Sequence, residues 1–107
     1  MFCGLIANGD FDFTRNGCVV FEPLNPVVPG HLLVVPIEHA STAAADANFG
    51  RASQVAADLI RDSDQQANII TNVGALAGQT VFHTHVHIVP RKADDGLMMP
   101  WSNQKKS

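Results

Sequence analysis

The chain has 107 residues, of which 46% are hydrophobic and 16% are charged. This length and composition suit one globular domain, and they exclude both two separate cores and a disordered chain. The net charge of -3 argues against a coat on a nucleic-acid polymer or a membrane-surface protein, because both need clustered Lys and Arg.

The amino-terminal residues and the cysteines predict a cytoplasmic protein. No apolar run reaches the length of a membrane span, and residues 1–7 lack the charged start and long apolar middle of a signal peptide. Cys3 and Cys18 lack C-x-x-C spacing, so we expect neither a disulfide framework nor a cysteine zinc site, and both thiols are interpreted as small apolar residues.

The first part of the chain predicts two strands. Residues 18–21 (CVVF) are a β-branched and aromatic run that follows the turn dipeptide Asn16 and Gly17. After a proline-rich connection, residues 31–37 (HLLVVPI) are apolar on both faces of a strand. This pattern indicates a central strand that is covered on both sides.

An alanine-rich stretch, residues 41–62, predicts an amphipathic helix. Asn48 suits the N-cap position of the main helix, and residues 41–47 would form an earlier turn. Apolar residues recur at helical spacing on one face and polar residues on the other. The apolar face comprises Phe49, Ala52, Ala56, Leu59 and Ile60, and the polar face comprises Arg51, Gln54, Asp58, Arg61 and Asp62.

The second part of the chain predicts a hairpin. Residues 67–72 (ANIITN) and 81–89 are strand-like, and residues 73–80 (VGALAGQT) join them with a glycine-containing connection. Two strands joined by such a loop are most simply antiparallel. We therefore expect a single α+β domain over residues 1–107, with one main helix across a mostly antiparallel sheet and residues 92–107 as a peripheral tail.

Three of the five histidines lie in HTHVHIVPRK, residues 83–92, at alternate positions. On a strand, His83, His85 and His87 would share one face at intervals of about 6.5 Å. We expect the apolar residues between them to face a core and the imidazoles to face an open surface. Solvated histidines on an amphipathic strand explain the pattern poorly, because histidine is uncommon and is not a strong strand former.

A metal site and nucleophilic catalysis are the two functional interpretations of this segment. Alternate histidines can ligate zinc, with His31 or His39 completing the site, but the outer pair on one strand would be about 13 Å apart. A nucleophilic imidazole flanked by two partners uses all three side chains, and the usual pKa near 6.5 leaves histidine largely neutral. We therefore expect no metal and no cofactor.

The loop before the histidines, GALAGQT at residues 74–80, predicts a phosphate site. Its glycines allow backbone N–H groups to turn towards one point, and it ends in a side-chain amide and a hydroxyl. Alone, Gly74 and Gly78 would more simply supply turn dihedrals. The position of the loop directly before the histidine segment favours phosphate binding.

These motifs, in this order, resemble the histidine triad (HIT) family. HTHVHIV resembles the family's His-x-His-x-His signature, PVVPGHLLVVP its upstream strand motif and NVGALAGQTVF its phosphate loop. The resemblance implies an antiparallel sheet of about five strands with a helix across it, paired into a homodimer through the helix and a central strand. It also implies hydrolysis or transfer of a nucleoside monophosphate, with a small adenosine-type substrate and a covalent nucleotidyl-histidine.

The resemblance further implies roles for individual residues. The nucleophile is His85, and its Nδ1–H is held by the backbone carbonyl of His83. His31 packs beside His83, and His87 reaches the phosphate and the leaving group. Phosphate contacts are implied for Asn72, Gly78, Gln79 and Thr80, and base-pocket contacts for Phe21 and Leu33.

Other features leave the substrate and the activity open. Pro23 stands where many relatives place Asp or Asn against the ribose, which predicts a relaxed preference for the sugar. HIVPRK resembles the dinucleotide hydrolase branch more than the phosphoramidase branch. A nucleotide-binding regulatory module without turnover is the alternative function, and Pro23 lends it some support. Trp101 has two interpretations, in the site or in the dimer.

Overall fold

The computed structural model describes residues 2–9, 11–38, 48–79, 81 and 83–98. Five strands form one sheet in the order β1-β2-β3-β5-β4, and every neighbouring pair is antiparallel. The predicted α+β class and antiparallel sheet are therefore confirmed. The elements are α1 (Phe2–Asn8), β1 (Phe13–Arg15), β2 (Cys18–Phe21), β3 (Leu32–Pro36), α2 (Phe49–Ser63), β4 (Ala67–Ile70) and β5 (Val86–Pro90).

Strands β1 and β2 form a tight hairpin at the predicted turn. Arg15 pairs with Cys18, which leaves Asn16 and Gly17 as the two loop residues. Both residues have a positive φ, 50° and 79°. A two-residue hairpin turn that matches the twist of its strands requires this conformation. Strand β1 was not predicted from the sequence, because its three residues are exposed or half-buried and show no apolar alternation.

Strand β3 lies at the centre of the sheet, as its two apolar faces predicted. One face packs against α2, and the other packs against α1. The cluster on the α2 side comprises Cys18, Val20, Val34, Ala52, Val55, Ala56, Val86 and Ile88. The cluster on the α1 side comprises Phe2, Val19, Phe21, Leu33 and Val35.

Helix α2 begins directly after Asn48, as predicted. The carbonyl of Asn48 accepts the N–H of Ala52 at 3.1 Å. Its side-chain amide, however, donates to Oε2 of Glu38 at 3.0 Å and does not cap the helix. The predicted apolar face packs on the sheet together with Val55, which the prediction omitted. The predicted turn over residues 41–47 lies outside the described residues.

Strands β4 and β5 form the predicted antiparallel hairpin, but both are shorter than expected. Ile70 is the last residue of β4 in the ladder and lies opposite His87. Beyond it the hydroxyl of Thr71, not a backbone N–H, donates to the carbonyl of His85 at 2.8 Å. Because the ladder stops there, β5 begins only at Val86, and the expectation of a strand from residue 81 is wrong.

Helix α1 was not predicted from the sequence. It has 7 residues, fewer than the window over which helical periodicity becomes visible. Phe2 is buried and Ile6 is half-buried on the face of the sheet opposite α2. Within the ranges described, no helix has the length and apolar character needed to cross a membrane.

Candidate active site

The sequence predicted that the alternate histidines face an open surface, but in the structure they are covered. His83 and His85 are 2% and 8% exposed. Their cover is the ring of Phe2 in α1, which lies edge-on to both imidazoles with centroid distances of 5.9 and 5.0 Å. His87 is half-buried, and its ring lies 5.1 Å from that of His85. The three imidazoles therefore form a sheltered cluster, because α1 lies over their face of the sheet.

The ring of His85 is oriented by a hydrogen bond to the backbone two residues earlier. Its Nδ1 lies 2.8 Å from the carbonyl oxygen of His83. A carbonyl can only accept, so Nδ1 carries the proton, and in the neutral ring Nε2 keeps its lone pair. This is the contact that the resemblance implied. A lone pair on Nε2 suits attack on an electrophilic phosphorus.

His83 anchors this arrangement to the centre of the sheet. Its Nε2 donates to the carbonyl of Pro36, the last residue of β3, at 2.8 Å. The side chain of His83 thus holds the segment before β5 against β3. The backbone carbonyl of His83 orients His85, so the hydrogen bond to Pro36 also fixes the direction of the candidate nucleophile.

His31 and His87 form a hydrogen-bonded imidazole pair. The N–H of Val27 donates to Nδ1 of His31 at 3.2 Å, so neutral His31 carries its proton on Nε2. That Nε2 lies 3.0 Å from Nδ1 of His87 and donates to it. Neutral His87 must then carry its own proton on Nε2. His31 therefore hydrogen-bonds to His87, whereas the resemblance implied that it packs beside His83.

His85 and His87 consequently have opposite tautomers. One presents a lone pair at Nε2, and the other presents an N–H at the same ring position. Burial lowers the pKa of His87 from 6.5 to about 4, and the neighbouring His85 and His31 act in the same direction. Burial also lowers the pKa of His31, against an opposing effect of Glu22. Both members of the His31–His87 pair are therefore neutral near pH 7.

We expect acid to destabilise the fold through His87. The unfolded chain takes a proton on this group near pH 6.5, whereas the folded chain takes it only near pH 4. The contribution of neutral His87 to the free energy of unfolding is therefore complete above pH 6.5 and declines below it. Between about pH 6.5 and 5, the wild type should lose up to about 2 kcal/mol more than His87→Asn, an upper limit because the ring is partly exposed. Urea unfolding of both proteins measures this, and equal losses would contradict the buried neutral pair.

The glycine loop between β4 and β5 forms several hydrogen bonds among its own backbone groups. A 3₁₀ turn spans Ala75–Ala77. The carbonyl of Gly74 accepts the N–H groups of Ala77 and Gln79, and the carbonyl of Ala75 accepts that of Gly78. These three N–H groups are therefore used within the loop, and phosphate binding by the loop stays a prediction.

The side chain of Gln79 closes the same loop. It is buried, its Oε1 accepts the N–H of Gly74 at 2.8 Å, and its Nε2 donates to the carbonyl of Val81 at 3.0 Å. Gln79 thus acts in this structure as an internal brace. The sequence shows an amide at the end of the loop but cannot show that the amide folds back into it.

Asn72 is the predicted phosphate residue that lies beside the histidine pair. It lines one cavity together with His31 and His87. A Cβ on Gly78 would lie 3.4 Å from Nδ2 of Asn72, and Gly78 has a φ of 98°. Both the left-handed backbone and the close approach favour glycine there. Thr80 lies outside the described residues.

The predicted base-pocket residues lie in one row of the sheet. Phe21 is opposite Leu33, and Leu33 is opposite His87. Both apolar side chains are buried, and the ring of Phe2 lies edge-on to Phe21 at 5.8 Å. An apolar patch of Phe2, Phe21 and Leu33 therefore adjoins the histidines. Phe2 was not predicted from the sequence, since nothing in a seven-residue segment indicates which face of a sheet it covers.

Thr71 is a further site residue that was not predicted from the sequence. Its hydroxyl donates to the backbone carbonyl of His85, the same residue whose ring carries the Nε2 lone pair. A buried carbonyl without a partner costs about 1–3 kcal/mol, so this bond holds the main chain at His85 in place. The available signal was a hydroxyl residue directly after a predicted strand, where it can replace a bond of the ladder.

The described residues give no support to the metal interpretation. Among them, no group of three or more His, Cys, Asp or Glu side chains is arranged to hold a metal ion. His31 and His87 are joined directly, nitrogen to nitrogen at 3.0 Å, which leaves no room for an ion between those atoms. His39, the other suggested ligand, lies outside the described residues.

A five-stranded antiparallel sheet with this histidine cluster defines a protein of the histidine triad class. The family model for the HIT domain matches residues 9–94. The chain therefore belongs to the HIT family. Membership supports binding or hydrolysis of small nucleotides at the level of the family.

Individual relatives agree in sequence and in fold. Adenylylsulfatase HINT3 of Arabidopsis thaliana is 30% identical over 81% of this chain, which spans about half (46%) of that protein. A hypothetical protein from Leishmania major has a TM-score of 0.77 and 31% identity, covering 99% of this chain and 83% of its own. A zinc-bound histidine triad protein from Mycobacterium smegmatis has a TM-score of 0.72 and 30% identity, covering 91% and 78%.

Proposed function

We propose that the chain is a nucleotide hydrolase or nucleotidyl transferase that breaks a bond at the α-phosphorus of a small adenosine-type nucleotide. The observation that carries the proposal is the pair of opposite tautomers at His85 and His87. A lone pair for attack and a donor for the leaving group lie on adjacent rings, 5.1 Å apart. The name of the adenylylsulfatase relative supports adenylyl chemistry on this scaffold.

In the first proposed step, the Nε2 lone pair of His85 forms a bond to the α-phosphorus. The bond from phosphorus to the leaving group breaks, and the leaving group departs with that electron pair and takes a proton that comes from solvent. The Nε2–H of His87 hydrogen-bonds to the departing atom. His85 then carries the nucleotide and a positive charge, which its Nδ1–H shares with the carbonyl of His83.

In the second proposed step, water or another acceptor attacks the same phosphorus. The bond from phosphorus to Nε2 breaks, its electron pair returns to His85, and the proton lost by the attacking water balances the one consumed before. The products are the nucleoside monophosphate and the protonated leaving group. The imidazoles are restored in their original tautomers, so no cofactor is required.

The surrounding residues are assigned proposed roles in holding the nucleotide. Asn72, which lines a cavity with His31 and His87, is proposed to hydrogen-bond to a phosphate oxygen. Gly78 and Gln79 support Asn72 and the loop, and Thr80 is proposed as a further phosphate contact. Phe21 and Leu33, together with Phe2, form the apolar wall proposed for the nucleoside.

A binding module without turnover is the second candidate, and one observation favours it. His85 is only 8% exposed, because the ring of Phe2 lies over it. The ring of His85 is therefore largely covered in this structure. A regulatory module would bind AMP against the apolar wall without a bond to Nε2.

The deciding experiment uses chelator-treated protein with an AMP amide and with a diadenosine polyphosphate. AMP release, together with an added mass of one AMP on a rapidly quenched sample, is the expected result. AMP binding without release or adduct would establish the binding module. Turnover that is lost with the chelator and restored by zinc would favour a metalloenzyme.

A homodimer is part of the proposal. The resemblance implies pairing through the helix and a central strand. The strand β4 is the last of the described sheet and would become central if a second copy paired with its edge. Its Ile69 is 47% exposed, an apolar side chain on an edge that a second copy can cover. Size-exclusion chromatography with light scattering measures the mass. A cytoplasmic location remains the expectation from the sequence.

We expect Thr71 to position the nucleophile. Thr71→Val keeps the shape but removes the hydroxyl, and it should lower kcat about tenfold, the worth of one hydrogen bond, with little change in KM. Thr71→Ser should restore kcat, because it retains the donor to the carbonyl of His85. Steady-state kinetics on the AMP amide measures both. Equal losses in the two variants would assign the effect to packing of the methyl group.

A further inference from the structure

The turn between β1 and β2 is hydrogen-bonded to the end of β3. Its second residue, Gly17, is exposed and has a φ of 79°. The carbonyl of Gly17 accepts the N–H of Ile37 at 3.0 Å. This bond lies one residue beyond the pairing of Cys18 with Pro36, so it extends the β2–β3 ladder into the turn. The turn is therefore fastened to the chain directly after β3.

The peptide group between Pro36 and Ile37 joins this turn to His83. Its carbonyl and its N–H lie in one plane and point in opposite directions across the sheet. The N–H donates to Gly17, and the carbonyl accepts the Nε2–H of His83 at 2.8 Å. Strand β5 does not reach this point, because its pairing with β3 ends at Val34. The imidazole of His83 therefore takes the place of a strand partner.

A continuous series of hydrogen bonds thus runs from the exposed turn to the ring of His85. Its last link joins the backbone carbonyl of His83 to Nδ1 of His85 at 2.8 Å. His83 is 2% exposed, and hydrogen bonds in series strengthen one another where water is excluded. Each link fixes the direction of the group that makes the next one.

Helix α2 contacts the same turn through Arg51. A Cβ on Gly17 would lie 2.8 Å from Nη1 and 3.4 Å from Cδ of Arg51. The side chain of Arg51 therefore packs directly on the backbone of the turn, in the space that a side chain on Gly17 would fill. This contact limits the directions that the carbonyl of Gly17 can take.

We propose that the β1–β2 turn is a positioning element for the candidate nucleophile. The inference rests on the proposed function, and it assigns a role in that function to Gly17 and to the peptide group between Pro36 and Ile37. The carbonyl of Gly17 directs the peptide group, and the peptide group directs His83. The carbonyl of His83 then holds the tautomer of His85. Loss of the first link should slow the chemical step and leave the apolar wall for the nucleoside intact.

The test removes the N–H of Ile37. Ile37→Pro has no donor for Gly17, and Pro36 before it lies in a strand, the conformation that a following proline favours. Ile37→Ala keeps the N–H and is the matched control, because the side chain of Ile37 is 45% exposed. On the AMP amide, Ile37→Pro should lower kcat about threefold to tenfold, with KM unchanged, as the loss of one hydrogen bond predicts. Ile37→Ala should match the wild type.

NMR of the imidazole nitrogens provides a measurement that does not depend on turnover. In the wild type, the signals of His85 should be those of a ring protonated on Nδ1. In folded Ile37→Pro they should shift towards a mixture of the two tautomers, whereas Ile37→Ala should keep the wild-type signals. A purely structural role of the turn would change the urea unfolding of Ile37→Pro without changing the tautomer of His85.

The outcomes separate this inference from the proposed function. A wild type that turns over neither the AMP amide nor the diadenosine polyphosphate would overturn the proposed function, and the positioning role with it, even if the tautomer of His85 depends on Ile37. With turnover in the wild type, unchanged signals of His85 in folded Ile37→Pro would overturn the positioning role alone. An equal loss of kcat in Ile37→Ala would also overturn it, because that variant keeps the N–H.

A second pair of variants covers the case in which Ile37→Pro does not fold. Gly17→Val disfavours the left-handed backbone of the turn, whereas Gly17→Asn adopts it more readily. Both add a Cβ beside Arg51, so their comparison isolates the backbone conformation. Only Gly17→Val should lower kcat and alter the signals of His85, and it should have no further effect on kcat in a His83→Asn background. Equal behaviour of the two variants, or additive effects with His83→Asn, would overturn the positioning role.

Discussion

Replacing His85 by Asn is expected to abolish turnover, lowering kcat/KM by at least about a thousandfold. The side-chain amide of the variant can still donate to the carbonyl of His83, as Nδ1 does in the wild type. Nothing in the variant replaces the lone pair of Nε2. Single-turnover release of AMP and intact mass measure the effect, and we expect no nucleotide adduct on His85→Asn.

The choice of variant follows from the burial of His85. The sequence predicted an exposed side chain, and this is wrong for a ring that contacts Phe2 and is 8% exposed. Truncation to Ala would leave a cavity and an unpaired carbonyl, at a cost of about 1–3 kcal/mol. Turnover within tenfold of the wild type in folded His85→Asn would remove His85 from the mechanism.

Loss of the Nε2–H donor of His87 should cause the second largest decrease in kcat/KM. His87→Asn has no group at the position of Nε2 and should lower kcat/KM about a hundredfold to a thousandfold. His87→Gln should recover part of this loss, because its terminal amide can place an N–H near that position. The same steady-state assay measures both variants. Equal rates for them would show that the Nε2–H does not meet the leaving group.

His31 is expected to act through His87. Its Nε2–H fixes the tautomer of His87, so His31→Asn alone should lower kcat/KM about tenfold. In the His87→Gln background, the same change should have almost no effect, because the amide has no tautomer to fix. A double-mutant cycle measures this coupling. Additive effects would give His31 a role that is independent of His87.

The sheet and the main helix could be predicted because their signals are local. Two apolar faces placed β3 at the centre, Asn48 marked the start of α2, and the spacing of two strands around a glycine loop indicated the β4–β5 hairpin. Helix α1 and β1 are too short to show a period. Their existence depends on contacts with β2 that residue spacing does not reveal.

The site could be predicted as a set of residues but not as a set of distances. The resemblance identified His31, His83, His85 and His87, and the bond between His85 and the carbonyl of His83 agrees with it. The partner of His31 depends on strand register, which sets Leu33 opposite His87. The donors of the glycine loop depend on whether Gln79 points outward or folds back, and its residue type permits both.

The position of Phe2 couples the histidine cluster to helix α1. Its ring lies 5.0 Å from that of His85 and 5.9 Å from that of His83. Any change that displaces α1 from the sheet therefore also uncovers the candidate nucleophile, so the exposure of the site depends on a helix of only 7 residues.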